Sequence, residues 1–226
     1  MKLQPNKRKI VTVQAKICGL NSLNTITAAV EGGADYIGLV FYPPSPRSVT
    51  IHQAKELTAG VPERVTKVGL FVNINNKNLS QIINKVSLDL LQLHGSETPE
   101  RVYEIKVKTG MPVMKAIHIA EEDDLFQINE FAEVADKILF DAKAPSSMKN
   151  ALPGGNSLSF DWNLFSQLNW RKEWMLSGGL STKNVSNAVI TTGATSVDVS
   201  SGVESEPGIK DLTLISAFLD TVRSLP

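Results

Sequence analysis

Tyr36-Ile37-Gly38-Leu39-Val40-Phe41 is an apolar run that almost never breaks for a polar residue. A strand with one wet face alternates. A run like this one is covered on both faces, as in a parallel sheet with helices packed against it. Working outward, Leu23 to Val30 carries apolar residues at helical spacing and Glu31-Gly32-Gly33 stops it; before it, Val11 to Ile17 reads as a first strand. Downstream, Val65 to Val72 and Leu88 to His94 repeat the strand character, with a helical stripe from Leu79 to Val86 between them. Pro99 to Lys108 is a helix with proline in its first turn. Val113 to Ile117, Lys137 to Phe140, Trp174 to Leu176 and Ser196 to Val199 complete the strands. Thr182 to Ile190, closed by Gly193, and Leu212 to Val222 are the last helices.

Strict alternation implies a parallel sheet with right-handed crossovers. About eight βα units in slightly fewer than about 250 residues favour an α/β fold of the closed (β/α)8 TIM-barrel type over a doubly wound sheet. No linker or composition shift divides the chain, so residues 1–226 are expected to form a single domain. The helix after Ile51 and the segment from Ala142 to Asp161 carry the weakest pattern. That segment, with Pro145, Pro153, Gly154 and Gly155, reads as a long loop suited to closing over a site.

The formal net charge is zero, so nothing global attracts nucleic acid or an anionic membrane, and an anionic ligand must be held by local groups. Met1 to Lys9 is polar and basic, and the apolar run Ile10-Val11-Thr12-Val13 after it is too short for a signal core. No run is long enough to span a bilayer. A single cysteine forms no internal disulfide. The expectation is a cytoplasmic protein acting on a small molecule, as a monomer or a homodimer.

The residues that follow each strand fall on one rim. Cys18 comes after the first strand, Pro43-Pro44-Ser45-Pro46-Arg47 after the second, and His94-Gly95 after the fourth. Asp141 follows the sixth, Ser177-Gly178-Gly179 the seventh and Ser200-Ser201-Gly202 the eighth. In such barrels catalysis occupies this end. Cys18 is a reactive thiol or merely a small buried hydrophobe. Asp141 is an acid raised by partial desolvation, or a cap for the loop that follows. Arg47, on a proline-stiffened loop, is suited to a ligand carboxylate or else pairs with a neighbouring acid. The two glycine- and serine-bearing loops stand where barrels hold phosphate on backbone N–H groups; otherwise they are tight turns. His94 is either a site residue or a satisfied hydrogen-bonding residue, His52 and His118 read as bystanders, and Lys16 and Lys143 point either way.

Several stretches taken together resemble phosphoribosylanthranilate isomerase. They are Lys16-Ile17-Cys18-Gly19, Gly38-Leu39-Val40-Phe41, Ser45-Pro46-Arg47, Val68-Gly69-Leu70-Phe71 and Gln92-Leu93-His94-Gly95. Leu139-Phe140-Asp141, Phe160-Asp161-Trp162, Ser177-Gly178-Gly179-Leu180, Val197 to Glu204 and Pro207 to Asp211 continue the match in order. The resemblance implies an Amadori rearrangement without cofactor or metal, with Cys18 as general base and Asp141 as general acid. The expected substrate-binding set is Arg47, facing the anthranilate carboxylate, His94, Asp198, and the phosphate loops Gly178, Gly179, Ser200, Ser201 and Gly202. The chain departs from the family's pattern at Ser157, where glycine is common, and at Ser177, where alanine is frequent. Two rival readings are a metal-dependent sugar-phosphate epimerase, drawing on His94, His118, Asp141 and Asp198, and a non-catalytic phosphate-binding barrel.

Overall fold

A computed structural model describes residues 12–145, 147–148, 152–167 and 172–225; the polar start from Met1 to Lys9 lies outside them. Eight parallel strands close into a barrel in sequence order. They are β1 (Gln14–Cys18), β2 (Tyr36–Val40), β3 (Thr66–Phe71), β4 (Leu90–Leu93), β5 (Val113–Ile119), β6 (Lys137–Ala142), β7 (Trp174–Leu176) and β8 (Ser196–Val199). β8 returns to β1 over four registered pairs, from Gln14 beside Ser196 to Ile17 beside Val199. The helices are α1 (Leu23–Glu31), α2 (Ile51–Thr58), α3 (Asn76–Ile83), α4 (Pro99–Thr109), α5 (Ile128–Phe131), α6 (Val185–Thr192) and α7 (Leu212–Arg223). None of the described helices is long and apolar enough to cross a membrane.

The apolar residues divide into two bodies. The larger lies between the strands and the surrounding helices and includes Ile17, Ile37, Leu39, Leu91, Leu93 and Phe140. The smaller fills the lower barrel interior with Tyr36, Val68, Leu90, Met114, Ala116, Leu139 and Met175. All five residues of β2 are buried, which is why its sequence does not alternate.

Helix ends follow their local chemistry. Pro99 opens α4 behind the Thr98 cap, and left-handed Gly110 closes it. The poorly patterned α2 is fixed by a reciprocal box, in which the Thr50 side chain accepts from the Gln53 N–H and Gln53 accepts from the Thr50 N–H. Two expectations need correction. The helix expected from Thr182 begins at Val185, because Asn184 turns back to accept from the Ser181 N–H and holds those residues in a polar turn. Asp141 lies within β6 rather than after it.

No described α-helix packs on the stretch between β6 and β7. A short 3-10 turn, Trp162–Gln167, stands there instead. It lays Phe165 flat on Trp174 at 5.3 Å and edge-on to Phe140 at 4.9 Å, so aromatic rings cover the outer face of β6 and β7. The freed chain from 152 to 158 crosses the carboxyl end of the barrel.

Candidate active site

Side chains two residues apart on a strand share a face, and the upper interior is built from such pairs. On β1, Lys16 and Cys18 both point inward and are 0% and 4% exposed. The Lys16 Nζ donates to Asp198 Oδ1 of β8 at 2.9 Å, forming a buried ion pair. Directly across the register from Cys18 is Gly38, and a Cβ there would stand 2.8 Å from the sulfur. Glycine makes room for the thiol.

The charges act on the thiol in opposite directions. Burial pushes it above its ordinary value, Lys16 and Lys210 pull it down, and Asp198 pushes it up, leaving a net upward shift. Lys16 is also raised: burial works against its charge, but Asp198 and then Cys18 more than restore it. The lysine therefore stays an ammonium beside a thiol whose ionisation it favours.

On the opposite side, Gln92 of β4 and His94, just past its end, form an inward pair. The Gln92 Nε2 lies 2.7 Å from His94 Nδ1, and His94 Nε2 lies 3.0 Å from Asp141 Oδ2 on β6. The other carboxyl oxygen of Asp141 accepts the N–H of Ala142 at 2.9 Å. His118, expected to be a bystander, stands edge-on to His94 at 5.3 Å and places Nε2 2.6 Å from the Pro153 carbonyl. Burial, and then His94, press His118 below the usual imidazole value, with Asp141 opposing. It is a neutral contact to the covering loop. His52 is exposed and pairs with Glu56 within one turn of α2.

Cys18 and Asp141 line one cleft of about 740 Å³, its open mouth included, together with Arg47, His94, Asp198 and Ser177. Gly178, Gly179, Ser200 and Ser201 line the same cleft. Gly178 and Gly179 hold φ of +87° and +63°, and a Cβ on Gly179 would stand 2.6 Å from the Leu158 carbonyl. Glycine is thus required by both conformation and space. No acceptor among the described residues meets the N–H of either glycine. Gly202 is not among the residues lining the cleft, and a Cβ there would collide with the Leu180 carbonyl, so glycine at this position lets the two loops pack closely.

Arg47 meets the second of its two readings, pairing with an acid of the chain. It is 5% exposed, and its Nε and Nη2 already donate to Glu204 at 2.7 and 2.8 Å, with Nη2 reaching the Gly155 carbonyl as well. The fork is taken by an acid of the chain, and the remaining nitrogen, Nη1, lies on the Gly155 side. Glu204 starts a short hairpin, β9 (Glu204–Glu206) with β10 (Ile209–Lys210). Lys210 Nζ bonds Glu204 at 2.7 Å and the Ser200 carbonyl at 2.8 Å, tying the arginine to the loop after β8. Lys143 is half-exposed and pairs with Asp124 at 2.7 Å.

Gln92, Glu204 and Lys210 do not stand out in the sequence as site residues, and the sequence leaves the direction of Lys16 open. Parity could have found two of them, since Lys16 is two residues from Cys18 and Gln92 two from His94. Ser177, a minor departure from the family's pattern, places its hydroxyl 3.5 Å from Asp198 Oδ2. His94, His118 and Asp141 bring ligand atoms within 4.8 Å of one another. Their near nitrogens and oxygen already face one another or the Pro153 carbonyl, so the cluster is arranged as a hydrogen-bonded set.

The sequence profile of the family described as N-(5'phosphoribosyl)anthranilate (PRA) isomerase matches residues 15–221. N-(5'-phosphoribosyl)anthranilate isomerase of Cereibacter sphaeroides is 52% identical over 211 residues, covering 93% of this chain and 99% of the relative. The enzyme of the same name from Paramagnetospirillum magneticum is 51% identical over 211 residues, covering 93% and 97%. Among solved structures, phosphoribosyl anthranilate isomerase from Thermotoga maritima superimposes with a TM-score of 0.83 at 34% identity, over 94% of this chain and 100% of that one. A phosphoribosyl anthranilate isomerase in complex with reduced 1-(o-carboxyphenylamino)-1-deoxyribulose 5-phosphate gives 0.80 at 33% identity, over 94% and 100%.

Proposed function

The chain belongs to the N-(5'-phosphoribosyl)anthranilate isomerase family, and from that premise we propose how its own residues carry out the reaction. It converts N-(5-phosphoribosyl)anthranilate to 1-(2-carboxyphenylamino)-1-deoxyribulose 5-phosphate in tryptophan biosynthesis, an aldose–ketose (Amadori) isomerisation needing no cofactor. The observation that carries the assignment of roles is that Cys18 and Asp141 line one cleft, each backed by its own buried partners.

Asp141 donates its proton to the ribose ring oxygen as the C–O bond breaks and the anilino nitrogen supplies electrons, giving an iminium ion. That cation acidifies the neighbouring carbon. Cys18, as thiolate, removes the carbon-bound proton, and the electron pair neutralises the iminium to an enolamine. In the last tautomerisation the enol hydroxyl releases one proton and the amino-bearing carbon gains one. The balance is zero, and exchange with water restores both groups.

An unaided thiol is only a few per cent ionised near neutral pH, and burial reduces that further. Lys16 offsets part of the cost, and the iminium adds attraction only after the ring has opened, when the base is needed. The phosphate binds between Gly178-Gly179 and Ser200-Ser201, on backbone donors that carry no formal charge. Arg47, clamped by Glu204, offers its remaining nitrogen to the anthranilate carboxylate. A reducing compartment such as the cytoplasm keeps the thiol free.

The test is conversion of freshly prepared phosphoribosylanthranilate, followed by the fluorescence of its anthranilate group, with and without a chelator. Turnover unaffected by chelation is expected. Loss of turnover on chelation would favour the metal-dependent epimerase reading, and binding without turnover would favour the non-catalytic barrel.

A further inference from the structure

Gln92 is fully buried, and its amide oxygen Oε1 has no hydrogen-bond partner among the described residues. One amide atom is therefore unpartnered whichever way the group is turned, so the cost of leaving it unpaired does not hold the amide in one orientation. The same amide makes one short contact, to a ring nitrogen able to play either role. With Nε2 toward His94, as placed, Nδ1 must be the acceptor and His94 carries its proton on Nε2. Asp141 then accepts at both oxygens, from His94 and from Ala142. That arrangement suits a carboxylate and leaves no proton to donate.

Turning the amide end for end moves no heavy atom appreciably, since oxygen and nitrogen exchange places. Oε1 now faces Nδ1 at the same separation and accepts a proton from it. The second nitrogen can then share one further proton with Asp141, either as imidazolium beside carboxylate or as neutral imidazole beside carboxylic acid. These are the two forms of a dyad holding one proton more, and both need Nδ1–H.

We propose that Gln92 is a positioning residue whose amide orientation sets which ring nitrogen of His94 is protonated, and so whether Asp141 is held as an acid or as a carboxylate. Its catalytic consequence rests on the reading of Asp141 as the proton donor; the switch itself does not. When Asp141 gives its proton to the substrate, the dyad loses one proton, and the amide returns to the orientation that supports Nε2–H. Uptake of a proton from water reverses both changes. The other titratable groups facing His94 are His118 on β5 and, behind the strand end, the Lys115–Glu97 pair, whose carboxylate also accepts from the Gly95 N–H.

The chain has three histidines, so ring-nitrogen NMR of protein labelled at histidine gives separable signals, assigned with His52→Asn and His118→Asn. Gln92→Met keeps the side-chain volume but removes the acceptor, and Gln92→Glu offers only acceptors near neutral pH. In the free protein, the pH at which His94 Nδ1 gains its proton is expected to fall by about one unit in the methionine variant. It should rise in the glutamate variant, with the His118 midpoint moved far less. Identical His94 midpoints in all three proteins overturn the switch. If Gln92→Met fails to fold, a glutamate variant with an unmoved His94 midpoint overturns it equally. On turnover, Gln92→Met should lower kcat about tenfold, the equivalent of one hydrogen bond, with KM little changed. A moved midpoint with unchanged kcat would leave the switch standing and overturn Asp141 as the proton donor.

Discussion

The two sides of the mouth are built from different materials, and in the roles proposed for them they solve opposite problems. On the β1–β8 side the thiol proposed to lose a proton is surrounded by fixed charges: Lys16 paired to Asp198, with Lys210 behind. On the β4–β6 side the carboxyl group proposed to hold a proton has as partners an imidazole and an amide, groups that donate or accept as required. Permanent charge suits a base that works whenever substrate is present. Reversible hydrogen bonding suits an acid that must be reloaded every turnover.

The largest effects should come from removing the groups that face each other. Cys18→Ser and Asp141→Asn are each expected to lower kcat by about 10²–10⁴-fold, with affinity for a reduced product analogue little changed. Near-normal turnover in either variant breaks the assignment on that side. Lys16→Met sharpens the contrast, because it strands a buried Asp198. Chemical denaturation should show a loss of about 3–5 kcal/mol, alongside slower turnover.

The pH profile separates the sides further. Burial holds the thiol above its ordinary value, so the thiolate fraction, and with it kcat/KM, should climb as pH rises toward that lifted value. Lys16 opposes the lift, so a lysine-free but folded variant such as Lys16→Gln should need still higher pH. A profile unchanged by that substitution would show that the fixed charges do not govern the base. Arg47→Ala should raise KM about tenfold with a smaller change in kcat, and Glu204→Gln should follow it more weakly. The smallest effect concerns the covering loop. Ser157 holds a left-handed φ of +57°, so Ser157→Gly should raise stability by about 1 kcal/mol, read as a higher Tm. An unchanged Tm would mean that the loop does not contribute to global unfolding.

The strands are legible in the sequence because burial on both faces leaves nothing polar in the run, as Tyr36 to Val40 illustrates. α2 is faint because only Ala54, Leu57 and Thr58 are buried from it, and its stability comes from the Thr50–Gln53 box. Cys18 and Asp141 stand out through their position at strand ends. Arg47 is correctly placed at the mouth, but its pairing with Glu204 joins residues 157 positions apart and leaves no local trace. The start of α6 is hidden because Ser181 and Asn184 prefer each other to the helix.

The Lys16–Asp198 pair spans 182 positions, joining the first strand to the last. An ammonium inside a barrel interior has no water to solvate it, so β1 cannot settle inward until β8 arrives with its carboxylate. Ring closure and neutralisation are therefore expected to coincide. During synthesis the lysine of β1 is expected to stay hydrated until β8 has emerged. A fragment that stops short of β8 has no stable place for that side chain, and adding the missing piece in trans should restore both the closed ring and the site.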